Sequence, residues 1–146
     1  TLHTNDAPSA ISRLIDMGAE DYLLASSILG ILAQRLLRVI CDQCREPVRP
    51  EPSILQQFGF PPDTLFYEGK GCPACANTGY RGRIGIFELM LMTEEIKHLT
   101  ISNAPASQMR KQAIEQGMRT LQEDGFLKVR KGITTLAEVL RVTQDV

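Results

Sequence analysis

The chain has 146 residues, 43 % apolar and 23 % charged, the balance of a globular protein that buries one ordinary core or two small ones. Its formal net charge of −1 excludes a global field that would gather nucleic acid or an anionic membrane. The most apolar stretch, Tyr22 to Ala33, is 12 residues long and holds two serines, against the roughly 20 residues needed to cross a bilayer.

The chain opens Thr1-Leu2-His3-Thr4-Asn5-Asp6, which reads as a strand end running into a helix cap. An opening in mid-connection is expected of a C-terminal piece of a longer protein. His3 sits between Leu2 and Thr4, with Thr1 two residues before it, just ahead of the cap. Such a cluster reads either as a phosphate contact at a helix N-terminus or simply as a polar strand end. Asn5 or Asp6 caps the first helix and Pro8 lies in its first turn, where a missing N–H is harmless. Ile11, Leu14 and Ile15 form its apolar stripe, and Gly18 closes it. A second helix is expected from Asp21 to Val39, with Leu24, Ile28, Ile31, Leu32 and Leu36 on one broad buried face. So apolar a helix needs cover on more than one side.

Two Cys-x-x-Cys pairs follow, Cys41/Cys44 and Cys72/Cys75, and they account for all 4 cysteines. Two residues between thiols let both reach one ion from a tight turn, and two such turns complete a tetrahedral shell. The sequence carries no export-signal pattern, so a reducing compartment is expected, which favours structural zinc over disulfides or a thioredoxin-like redox pair. Four thiolates leave no open position for substrate, so the site is structural rather than catalytic. Between the pairs, Pro47, Pro50, Pro52, Pro61 and Pro62 restrict the chain to short pieces. These include a short helix near Ser53–Phe58 and a short strand at Leu65–Tyr67.

After the second pair, Tyr80-Arg81-Gly82-Arg83 reads as an anion clamp or as a solvated loop. Ile84 to Met90 reads as a strand returning to a core. The remainder is helical. Thr93 precedes an acidic first turn, Pro105 opens a helix that Gly117 ends, and Thr120–Glu123 and Thr135–Glu138 have the form of capping boxes. His98 falls on a solvated helix face. No phosphate-cradling Gly-rich loop and no nucleophile with a matching base stands in the sequence.

Taken together, these motifs resemble the secretion traffic ATPases over essentially the whole chain. Thr1-Leu2-His3-Thr4-Asn5 is similar to their His box. Leu32-Ala-Gln-Arg-Leu-Leu-Arg38 is similar to the helix that leaves their core. Gly71-Cys-Pro-Ala-Cys75 and Gly79-Tyr-Arg-Gly-Arg-Ile-Gly-Ile-Phe-Glu88 resemble their metal-binding insert and return strand, and Gly132 to Thr143 resembles their tail. The type II secretion (GspE) branch is favoured, with the type IV pilus extension (PilB) branch as the alternative. Pilus retraction ATPases typically lack the cysteine insert. A non-enzymatic zinc-ribbon adaptor is the more distant reading.

The resemblance implies an α/β fold: the C-terminal portion of a RecA-like P-loop ATPase core, a four-cysteine zinc-binding insert and a C-terminal helical subdomain. The expected divisions are residues 1–39 for the core, 40–85 for the metal-binding part and 86–146 for the return strand and helices. It implies a parent that is a homo-hexamer using ATP and Mg, cytoplasmic and peripheral at the inner membrane. There it would be recruited by platform proteins, with no nucleic acid and no membrane association of its own. The P-loop lies N-terminal to the His box in this family, so the chain alone is expected to be inactive. By the same resemblance His3 faces the γ-phosphate, Thr1 and Thr4 flank it, Arg83 makes a trans contact to nucleotide, and the four cysteines ligate zinc.

Overall fold

A computed structural model describes residues 2–144, so Thr1 lies outside the described residues. In chain order the elements are α1 (Ala7–Asp16), α2 (Asp21–Ser27), β1 (Gly30–Ile40), β2 (Arg45–Val48), α3 (Pro52–Phe58) and β3 (Phe66–Gly69). After a 3-10 turn (Pro73–Cys75) come β4 (Tyr80–Leu91), α4 (Glu94–Ile101), α5 (Ala106–Glu115), α6 (Leu121–Arg130) and α7 (Leu136–Thr143). The fold is mixed α/β, with two two-stranded sheets, β1–β4 and β2–β3. Met92 N–H bonds Leu29 O at 3.0 Å and Cys41 N–H bonds Gly79 O at 2.9 Å, so β1 and β4 run antiparallel.

The described chain divides into two compact units. The first holds residues 2–35 and 87–121. Asp6 caps α1 through Ser9 N–H at 2.9 Å, with Pro8 in the first turn. α1 packs on α5 and α2 packs on α4. Their buried faces enclose Ile11, Met90, Met92, Ile96 and Met109, with Ile15, Ile28 and Met118 around them. Thr93 caps α4 and His98 is exposed, as the sequence indicated.

The second unit holds residues 36–86 and 122–144. β2 and β3 pair antiparallel, from Arg45 opposite Gly69 to Val48 opposite Phe66. Phe58, Phe60, Phe66 and Phe126 meet edge-on or tilted, with centroids 5.1–5.9 Å apart. Such edge-on aromatic pairs add to the stability of this small unit beyond the area they bury. Arg45 stacks on the ring of Tyr67.

The expected helix from Asp21 to Val39 is corrected. It ends at Ser27, and Ile28 takes extended angles (φ −80°, ψ 129°). From Gly30 the chain is a strand whose burial alternates: Ile31, Ala33 and Leu37 turn inward while Leu32 and Leu36 are exposed. Because both faces of this strand carry leucine, the run satisfies a period of 3.6 as readily as a period of 2. The capping box at Thr135 is half corrected. Thr135 Oγ1 accepts Glu138 N–H at 3.1 Å, but the Glu138 carboxylate binds Arg38 and Arg141 rather than returning to the cap.

A candidate four-cysteine metal centre

The second unit brings the four cysteines together from two turns. Cys41 ends the run out of β1, and Cys44 precedes β2. Cys72 and Cys75 bracket the 3-10 turn, after which Ala76 and Asn77 both take positive φ (52° and 61°). That backbone reversal brings Asn77 N–H onto Cys72 O at 2.9 Å and closes the second turn.

All four Sγ atoms lie within 4.8 Å of one another. Cys41–Cys72, Cys44–Cys75 and Cys72–Cys75 are 3.7, 3.9 and 3.7 Å apart, and no disulfide joins them. A tetrahedron of thiolates at about 2.3 Å from a central ion has edges of roughly 3.8 Å. The sulfurs therefore stand at the spacing of a tetrahedral ligand set, and the residues fit one metal ion. Cys41, Cys44 and Cys75 are buried and Cys72 is half-buried.

The surroundings favour thiolate at one ligand and resist it at another. Burial works to raise the Cys75 thiol, but N–H donors from Cys72 (3.3 Å) and Gly79 (3.2 Å) outweigh it and hold the group below the ordinary cysteine value. Cys44 moves the other way, raised chiefly by burial and further by the neighbouring thiols. Crowded sulfurs cannot all ionise without a cation among them, and a divalent ion held there would supply it.

The centre is locked to α7. Arg38, three residues before Cys41, gives its backbone N–H (3.0 Å), Nε (3.1 Å) and Nη2 (2.9 Å) to Glu138. The same guanidinium lies 4.3 Å over the Tyr80 ring, and Tyr80 OH meets Thr135 Oγ1 at 2.7 Å. Arg141 is the second cation on Glu138. Ionic hydrogen bonds, with those of Arg141 and Arg38 leading, overcome burial and hold the Glu138 carboxyl at about 2. The sequence signal for this clamp was a glutamate placed where a capping box would use it.

The other candidate residues fall elsewhere. His3 is exposed and Thr4 half-buried on the segment that leads into α1, in the first unit. Arg83 is exposed on β4, in the second unit. Reading the motifs alone missed Glu88. It lies on β4 in the first unit, 1 % exposed, and takes Ala7 N–H at 2.9 Å and Leu121 N–H at 3.0 Å. Its signal was an acidic residue at an inward position of a strand, between Ile86 and Met90. Among the described residues, no helix is long and apolar enough to cross a membrane.

Residues 1–141 match the family model described as Type II/IV secretion system protein. Type II secretion system ATPase E of Vibrio cholerae is 44 % identical, over 99 % of this chain and 29 % of its own length. The type II secretion system protein HxcR of Pseudomonas aeruginosa is 46 % identical, over 99 % and 28 %. The type IV pilus assembly ATPase PilB of Thermus thermophilus is 42 % identical, over 98 % and 16 %. The chain thus spans well under a third of the length of these curated relatives. Among solved structures, the pilus retraction motor PilT with bound ADP has a TM-score of 0.60 at 20 % identity, over 99 % of this chain and 32 % of that one. At that identity the likeness is one of fold.

Proposed function

The chain belongs to the Type II/IV secretion system protein family, and from that membership we propose that it is the C-terminal part of a motor ATPase. The parent hydrolyses ATP with Mg to drive assembly of a pseudopilus in type II secretion. The observation that carries this is the family match over residues 1–141. Relatives named for type IV pilus assembly reach 42 % identity, beside 46 % for a type II secretion relative, so pilus extension stands as the second reading. A free-standing zinc-ribbon adaptor is the reading that family membership displaces.

In this proposal residues 1–39 belong to a RecA-like core whose phosphate-binding loop lies in the longer protein. His3, flanked by Thr1 and Thr4, takes the γ-phosphate side of the nucleotide, where an imidazole donor stabilises charge as it develops in the transferring group. Arg83 reaches the nucleotide of a neighbouring subunit in a homo-hexamer. Cys41, Cys44, Cys72 and Cys75 hold a structural zinc, the ion best matched to a closed four-thiolate shell. The parent works at the cytoplasmic face of the inner membrane through platform proteins.

The test pairs two proteins. Full-length parent should hydrolyse ATP, and its loss from the host should abolish either protein secretion or piliation, which assigns the branch. The 146-residue chain alone should show no turnover above background. Turnover by the isolated chain, or none by the assembled parent, would sink the reading.

A further inference from the structure

Glu88 sits where a strand interior has no ordinary use for a carboxylate. It is 1 % exposed, on β4, between the buried residues Ile86 and Met90. Its partners are two backbone amides. Oε1 accepts Ala7 N–H at 2.9 Å and Oε2 accepts Leu121 N–H at 3.0 Å. Ala7 and Leu121 are the first residues of α1 and α6. These are amides that a helix leaves without an internal partner, and both helix dipoles favour negative charge at that end. One buried carboxylate therefore fastens two helix N-termini at once.

At α1 the fastening is reinforced residue by residue. Asp6, next to Ala7, caps α1 through Ser9 N–H and is ion-paired with Arg110 of α5. Asn5 Oδ1 accepts from Arg35 Nη2 of β1 at 2.8 Å. Three consecutive residues, Asn5, Asp6 and Ala7, are thus tied to β1, α5 and β4. His3 and Thr4 come immediately before them. A segment so held has little freedom in where it points its leading residues, and burial of Asp6 and Ala7 removes more.

We propose that Glu88, assisted by Arg110, is a positioning residue for His3. Resting on the reading that His3 faces the nucleotide, it does not touch the substrate itself. It fixes the start of α1, and the start of α1 sets where the His3 imidazole stands. A neutral amide cannot repeat this role, because its NH2 meets an N–H instead of accepting it.

The test is steady-state ATP hydrolysis by the full-length, assembled parent carrying His3→Ala, Glu88→Gln and Arg110→Gln singly, and the two pairs that include His3→Ala. Glu88→Gln should lower kcat about tenfold or more with KM nearly unmoved, the pattern of a misplaced group that acts in the transition state. In the His3→Ala background the same substitution should cost nothing further. Arg110→Gln replaces a partly exposed side chain and should fold regardless. It should show a smaller loss of the same kind, likewise absent once His3 is gone. An equal loss with and without His3 would make Glu88 merely structural and overturn the proposal, as would wild-type kcat in both Glu88→Gln and Arg110→Gln. If Glu88→Gln fails to fold, the Arg110→Gln pair decides alone. Unchanged kcat in His3→Ala itself would instead overturn the role given to His3, and this proposal with it.

Discussion

Gly69 and Gly79 meet backbone to backbone. A Cβ on Gly69 would lie 2.7 Å from the Cα of Gly79, and closer still to its carbonyl oxygen. Gly79 also has φ +79°, donates N–H to Cys75 Sγ at 3.2 Å and accepts Cys41 N–H at 2.9 Å. One residue thus touches both cysteine turns and the end of β3, and it can do so only without a side chain. Gly79→Ala should destabilise the second unit by at least about 2 kcal/mol, through the left-handed backbone and the clash together. Gly69→Ala carries the clash without a positive φ and should cost less, though still measurably. Denaturant melts and metal content of the two variants check this; a neutral Gly69→Ala would mean that the two backbones are not so close.

The sulfur spacing predicts one bound metal per chain, identified as zinc by elemental analysis of protein purified under reducing conditions. Removing it with a chelator should raise amide exchange across residues 41–79. Amides that report on the first unit, such as those of Ala7 and Met92, should keep their protection. Cys72→Ser should reproduce the effect at the half-buried ligand. Disulfides at Cys41–Cys44 and Cys72–Cys75 in reducing buffer would contradict the metal reading outright.

Glu138 should reveal itself through pH. Its carboxyl lies at about 2 in the folded protein against 4.5 for the free group. A lowered folded value stabilises the protein above the unfolded pKa, and that contribution fades as pH falls from about 4.5 through about 2. Glu138→Gln should therefore cost on the order of 2 kcal/mol at neutral pH, less than a fully buried pair because both arginines are about half exposed. The difference between wild type and Glu138→Gln should shrink toward zero near pH 2. Acid also strips metal from thiolates, but it does so in both proteins, so the difference isolates the carboxylate. A gap that stays constant with pH would mean that the glutamate contributes through its shape alone.

Much of this was legible in the residues. Paired cysteines announce a metal because few other uses need that spacing twice. Asp6, Thr93 and Thr135 announce helix starts because their side chains satisfy amides that the helix itself cannot. The strand β1 was hidden because Leu32 and Leu36 stand on its exposed face, so the polar half of the alternation that marks a strand is missing. Glu88 and Glu138 were hidden for another reason. The amides on Glu88 lie 33 and 81 residues away in sequence, and Arg38 lies 100 from Glu138, with only Arg141 nearby on the same helix; no local pattern records such distant pairing. Local sequence specifies caps and turns; it leaves long-range polar pairing to the packed fold.

The final prediction concerns chemistry in the assembled parent. If His3 stabilises the transferring phosphoryl group, His3→Ala should lower kcat far more than it raises KM, because the lost contact is made mainly in the transition state. Loss of one such donor costs on the order of 3 kcal/mol, or about a hundredfold. If Arg83, exposed on β4, acts across a subunit boundary, Arg83→Ala should depress activity chiefly in the assembled ring. Mixing Arg83→Ala subunits with subunits that lack the P-loop lysine should restore some turnover at mixed interfaces, where an intact nucleotide site meets an intact arginine. If Arg83 merely stiffens the strand that follows the second cysteine pair, mixing restores nothing and the variant instead melts earlier. Single-turnover assays on the mixed rings, read beside their melting curves, separate the two roles.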